Sequence, residues 1–119
     1  MSDWRALARA PEPGRFVVTR AALDGRASFS VDLEGFPVLL VKYGAEIFAY
    51  FNACPHQYLP LDWRSPNVLS ADGTVIRCSN HSAGFDARTG HGVDGLGKGC
   101  ALIPVPIEIL GDEIIIARG

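Results

Sequence analysis

No hydrophobic run in this sequence is long enough to cross a bilayer: the longest, Phe36 to Val41, contains Pro37, whereas a spanning helix needs about 20 apolar residues. Charge of one sign is also missing, with 11 Lys and Arg against 13 Asp and Glu for a net −2. The basic residues are scattered from Arg5 to Arg118, so nothing forms the positive footprint that nucleic acid or an anionic membrane requires. The opening stretch "MSDWRALARAPEPG" never builds an apolar run of signal-peptide length, and the expectation is a cytoplasmic protein. Beyond the first dozen residues no segment has the three-to-four spacing of a long amphipathic helix, and there is no repeat, charge block or low-complexity tract. Cysteine is sparse too: Cys54, Cys78 and Cys100 are an odd number for a disulfide scaffold, which leaves metal binding or simple burial as their uses.

What is present reads as β structure. The 119 residues, 48% hydrophobic and 20% charged, suffice for one domain spanning 1–119 with a modest core, and are too few for a catalytic domain plus a separate cofactor domain. Phe29, Val31 and Leu33 alternate in "ASFSVDL", and Ile103, Val105, Ile107 and Ile109 alternate in "IPVPIEIL", the period of half-buried strands. Pro104 and Pro106 cannot donate ladder hydrogen bonds, so the second strand is expected at an edge. Glu34-Gly35, Gly44-Ala45-Glu46 and Gly111-Asp112 each separate two apolar runs, the signature of successive hairpins. The residues thus predict an all-β antiparallel domain, a small sandwich or partly closed barrel.

The stretch from Asn52 to Leu102 departs from that pattern. It is rich in Gly, Pro, Asp and Ser and holds all three histidines and all three cysteines, and loops of such length usually carry function. Within it lies Cys54-x-His56, then 21 residues, then Cys78-x-x-His81. Each pair follows a strand-like run, "IFAYFNA" and "TVIR", so two thiols and two imidazoles would converge from the ends of rigid elements as a four-ligand soft-metal site. Structural Cys2His2 zinc sites usually pair Cys with Cys and His with His across at least two spacers. Here each pair is mixed, and the order suits a binuclear cluster whose two irons take different ligands. A zinc-stabilised β domain stays open as the alternative.

The motif "CPHQYLPL…VIRCSNHSAGFDARTG", with Leu61 after the first pair, Phe85-Asp86 after the second and the Thr89-Gly90 turn, resembles the Rieske iron–sulfur family over roughly residues 27–117. The resemblance implies a [2Fe–2S] cluster with Cys54 and Cys78 as thiolates to one iron and His56 and His81 as ligands to the other. It also implies stacked antiparallel sheets with a cluster-binding loop subdomain, about 52–102, at one tip. Neither His91, in a turn and expected at the surface, nor Cys100, expected as a small buried hydrophobe, receives a ligand role.

The resemblance also separates subtypes. High-potential members have a disulfide between the two loops and Ser and Tyr hydroxyls that donate to the cluster sulfurs. The corresponding positions here are Leu59 and Asn80, and Ala83 and Phe85. Lost donors disfavour the more negative reduced state and lower the potential. Ser82 stands where the family usually has Gly, and is read as a backbone position that tolerates a side chain. The third loop, "VDGLGKGCAL", has three glycines and no proline, and Trp63 lies in a lengthened 62–74 segment. Terminal oxygenases add a mononuclear iron bound by two histidines and a carboxylate, and only one histidine is left over here. The reading is therefore an electron-transfer protein and not itself an enzyme: a Rieske-type ferredoxin between a reductase and a terminal enzyme such as a ring-hydroxylating oxygenase. The alternative is a small Rieske subunit of a larger, nitrite-reductase-like enzyme. The expected docking face is the cluster tip, His56 and His81 with Gln57, Tyr58, Leu59, Pro60, Leu96 and Lys98 around them.

Overall fold

The computed structural model describes residues 4–7, 9–44, 46–53, 61, 68–70, 73–78, 83–94 and 101–118. Among these residues nine strands form three antiparallel sheets: β1 (Phe16–Thr19), β2 (Ser28–Leu33), β3 (Phe36–Tyr43), β4 (Glu46–Phe51), β5 (Val75–Arg77), β6 (Gly84–Asp86), β7 (Gly92–Asp94), β8 (Ile107–Leu110) and β9 (Glu113–Ile116). The only helical pieces among the described residues are 3-10 turns at Trp4–Ala6 and Arg20–Leu23. No helix there is long and apolar enough to cross a membrane.

The middle sheet, in the order β2-β3-β4, is built by tight hairpins. Glu34 and Gly35 adopt φ of 52° and 94°, the doubly left-handed turn whose twist matches two antiparallel strands, and the Asp32 carboxylate accepts the Gly35 N–H at 3.1 Å. Strand β3 shows why the sheet is central. Phe36, Val38 and Leu40 face one core with Leu33, Val17, Ile114 and Ile116. Leu39 and Val41 face a second core with Tyr50, Leu61, Ile76 and Phe85. A strand buried on both faces reads as a continuous apolar run and not as an alternation, which is what "FPVLLVKY" is.

The outer sheet, β1-β9-β8, packs on the first face, and the tip sheet, β5-β6-β7, on the second. Phe36 anchors the first core, its ring 5.1 Å from that of Phe51 and 6.4 Å edge-on from that of Trp4. The expected alternation Phe29, Val31, Leu33 holds as β2, all three packing into that core.

The run from Ile103 to Ile109 departs from the expectation of one strand. Only Ile107–Leu110, beyond both prolines, is β8, and it lies at the edge of the outer sheet. Residues 103–105 instead bond β4, through Phe51 N–H to Ile103 O and Val105 N–H to Ala49 O, both at 2.9 Å. Pro106 has no N–H to carry that pairing further, and its carbonyl accepts the Ala117 N–H at 3.0 Å. The segment thus crosses from one sheet to another.

Candidate metal centre

Both predicted ligand loops leave the tip-facing core through necks closed by hydrogen bonds. At the end of β4, Asn52 is buried, 4% exposed. Its N–H donates to Pro37 O at 3.0 Å, and its side-chain oxygen accepts the Leu61 N–H at 2.8 Å. Leu61 is fully buried. The chain therefore departs at residue 52 and is held again at residue 61, with Cys54 and His56 between. An amide buried among apolar groups is stable only when bonded, and here that bond ties the two ends of the loop.

The second neck continues the β5–β6 ladder. Beyond the Arg77–Gly84 pair, the Cys78 N–H donates to Ala83 O at 3.0 Å. Cys78 is 3% exposed, has a free thiol, and shares its buried cluster with Leu61, Tyr50 and Phe85. The structure thus brings the base of one loop against the base of the other. Cys54, His56 and His81 lie outside the described residues, as do Gln57, Tyr58, Leu59, Pro60, Trp63, Asn80, Ser82, Leu96, Lys98 and Cys100.

Below these necks the β6–β7 turn is fastened to the middle sheet. The Asp86 carboxylate accepts the N–H groups of Arg88 at 2.8 Å and Thr89 at 3.3 Å, the local capping that favours Asp in turns. Gly90, at φ 80°, sits against the Tyr50 ring so closely that a Cβ there would lie 2.9 Å from Tyr50 Cε1. The Tyr50 hydroxyl donates to Ala87 O at 2.8 Å. Burial, then the nearby Asp86 carboxylate, raises its pKa above the ordinary tyrosine value, so the phenol stays protonated and remains a donor. His91 is exposed, as its place after the turn predicts. Ala83 and Phe85, where high-potential relatives carry hydroxyls, are apolar and fully buried.

Asn52 and Tyr50 were not singled out by sequence reasoning. For Asn52 the available signal was a polar residue ending an apolar strand two positions before Cys54. For Tyr50 there was none.

The donor chemistry fits a cluster: a buried free thiol on a ladder-held strand end, and two Cys-then-His pairs on two closed necks. The sequence profile of the Rieske [2Fe-2S] domain family matches residues 15–100. The chain belongs to that family. Membership decides the metal question in favour of the [2Fe–2S] cluster over zinc, since the Rieske domain binds that cluster.

Among solved structures, the Rieske chain is similar to the ferredoxin of carbazole 1,9a-dioxygenase from Nocardioides aromaticivorans IC177, at 25% identity and a TM-score of 0.74, covering 91% of this chain and 100% of that one. It shares its fold with the Sphingomonas yanoikuyae B1 ferredoxin, at 20% identity and a TM-score of 0.73, covering 89% of this chain and 99% of that one. It shares it also with a putative NADPH nitrite reductase small subunit, at 14% identity and a TM-score of 0.66, covering 85% and 94%. No curated protein sequence matches the chain.

Proposed function

We propose that this chain is a cytoplasmic Rieske-type ferredoxin, acting as one domain over residues 1–119, that carries single electrons from a reductase to a terminal enzyme such as a ring-hydroxylating oxygenase. The observation that carries this reading is the likeness to the dioxygenase ferredoxin, which extends over 100% of that chain and leaves no segment of it unmatched. A carrier of this kind needs the cluster and a place to dock, and no substrate pocket. The nitrite-reductase-like alternative rests on a structure 14% identical, a likeness of fold alone.

In this reading Cys54 and Cys78 hold one iron and His56 and His81 the other. When bound, the cluster supplies a one-electron couple and nothing more. The chain's own contribution is to hold the ligands and set their surroundings. The Asn52–Leu61 and Cys78–Ala83 bonds fix the loop bases, so that little reorganisation accompanies electron transfer. Apolar Ala83 and Phe85 offer no hydroxyl to the sulfurs. Their apolar character supports a potential in the lower part of the Rieske range, which spans about −150 to +300 mV.

The purified protein should be red-brown with iron and inorganic sulfide, show a potential below zero against hydrogen by protein-film voltammetry, and once reduced pass its electron to an oxygenase component on mixing. A colourless zinc protein overturns the redox reading, and a potential well above zero overturns the ferredoxin subtype. For the ligand set, His81→Cys is expected to lower the potential and weaken the pH dependence of reduction, because one of the two imidazole ligands is gone; an unchanged potential removes His81 from the set.

A further inference from the structure

Where residues 103–107 leave β4 for the outer sheet, the two backbones diverge and a cavity of about 720 Å³ opens between them. Up to that point the segment is bonded to β4 on either side of the Tyr50–Pro104 bridge, by Phe51 N–H to Ile103 O and Val105 N–H to Ala49 O. Past Val105 the pairing stops, since Pro106 has no N–H and its carbonyl is taken by Ala117.

Ladder parity decides which groups of β4 are left over. Asn52 donates to Pro37 of β3, and β4 pairs with β3 as Tyr50 opposite Leu39 and Phe48 opposite Val41. Even-numbered residues of β4 therefore turn their N–H and C=O toward β3, and odd-numbered ones turn away. Phe51 N–H and Ala49 C=O are used by residues 103–105. The Ala49 N–H and both backbone groups of Ile47 face the cavity with no hydrogen-bond partner among the described residues. An edge with unpaired donors and acceptors is a template for one more strand.

The side chains around that edge are complementary to a particular kind of strand. Trp4, Ile47, Phe48, Val105 and Ile107 make the walls apolar. Among the described residues, Arg88 is the only charged one lining the cavity. It is exposed, its guanidinium lies 5.4 Å from the centre of the Tyr43 ring, and it makes no ion pair among the described residues. We propose that this groove takes an extended segment of a partner protein as an added strand on β4, with alternate apolar side chains in the cavity and a carboxylate against Arg88. A small amphipathic acid would satisfy Arg88 and the walls but leave the backbone groups of Ile47 and Ala49 unpaired, whereas a strand pairs them. This surface belongs to β4 and the residue 103–107 crossover, and it does not depend on which redox partner the chain serves.

Amide exchange followed by NMR on the cluster-loaded protein tests it. In the free protein the Ile47 and Ala49 amides should exchange at least about tenfold faster than those of Phe48 and Tyr50. Capped hexapeptides alternating valine with threonine and ending in glutamate serve as the probe. They should shift the Ile47 and Ala49 resonances and slow their exchange, with Arg88→Glu weakening the effect about fivefold or more. The same peptides with proline at the valine positions, which lack the N–H groups, should do nothing. Equal protection of Ile47 and Phe48 in the free protein overturns the proposal by showing the edge already closed. Failure of every alternating peptide, or octanoate moving the same resonances while the peptides do not, also overturns it, the latter in favour of a small-molecule site.

Discussion

The two halves of this molecule are held together by different means. In the base, β3 and β4 run eight and six residues with an unbroken ladder from Val38–Phe51 to Tyr43–Glu46, and Phe36, Val38, Leu40, Ile114 and Ile116 are buried to 1% exposure or less. In the tip, β5, β6 and β7 are three residues each, and side chains make up for the short ladders. Asn52 closes the first loop, Tyr50 ties down the β6–β7 turn, Asp86 caps that turn, and the Ser70 hydroxyl accepts the Val75 N–H at 3.1 Å. Burial of apolar surface is proportional to area and indifferent to direction, whereas each tip bond depends on one atom in one place. The base is therefore expected to tolerate changes in hydrogen bonding, and the tip to be specified by them.

The largest effect should come from the base core. Phe36→Ala removes a fully buried ring that touches Phe51 and Trp4, and a loss of about 3–5 kcal/mol is expected by denaturant titration. Structure should be lost from both halves together, because both pack on β3. Asn52→Ala comes next. It removes the side-chain oxygen that accepts the Leu61 N–H in a buried site, at a cost of about 1–3 kcal/mol, and the visible absorption of the cluster should fade on dilution while far-UV circular dichroism of the base persists. If the two signals decay together, the halves are not energetically distinct.

Tyr50→Phe is milder and sharper. It removes only the donor to Ala87 O, about 1 kcal/mol, and hydrogen exchange should quicken at residues 87–91 while the β2–β3 amides stay as they were. The smallest effect belongs to the Glu108–Arg118 pair on the outer sheet, 3.4 Å apart. The Arg118 backbone N–H, then its side chain, lowers the Glu108 pKa below 4.5. A depressed carboxylate contributes stability above its unfolded value and loses it as pH falls through its folded value, so Glu108→Gln should remove a small contribution near neutrality and flatten the stability profile below about pH 4.5.

How legible these halves were differs as well. The hairpins were readable because Glu34-Gly35 and Gly111-Asp112 state their backbone requirement locally, and both pairs lie at strand junctions. The Ile103–Ile109 alternation was misread as one strand. Its period reports burial of alternate residues, and Val105 and Ile107 meet that condition while belonging to different pairings. The ligand motif was readable because each Cys–His pair sits within four residues. Asn52 and Tyr50 were not, because their partners, Leu61 and Ala87, lie 9 and 37 residues away, and nothing in a local pattern names a partner at that distance.

By itself the sequence determined the all-β class, the positions of the main turns, the two-loop ligand motif and through it the Rieske family. These are consequences of local backbone geometry and of which side chains can bind iron. Only the tertiary structure decided that β3 would be a middle layer buried on both faces, that Asn52 would close the loop that carries Cys54 and His56, and that residues 103–107 would leave β4 with an open edge. Those outcomes follow from where separate segments meet in space, and hydrogen-bond partners far apart in the chain become apparent only once the layers are stacked.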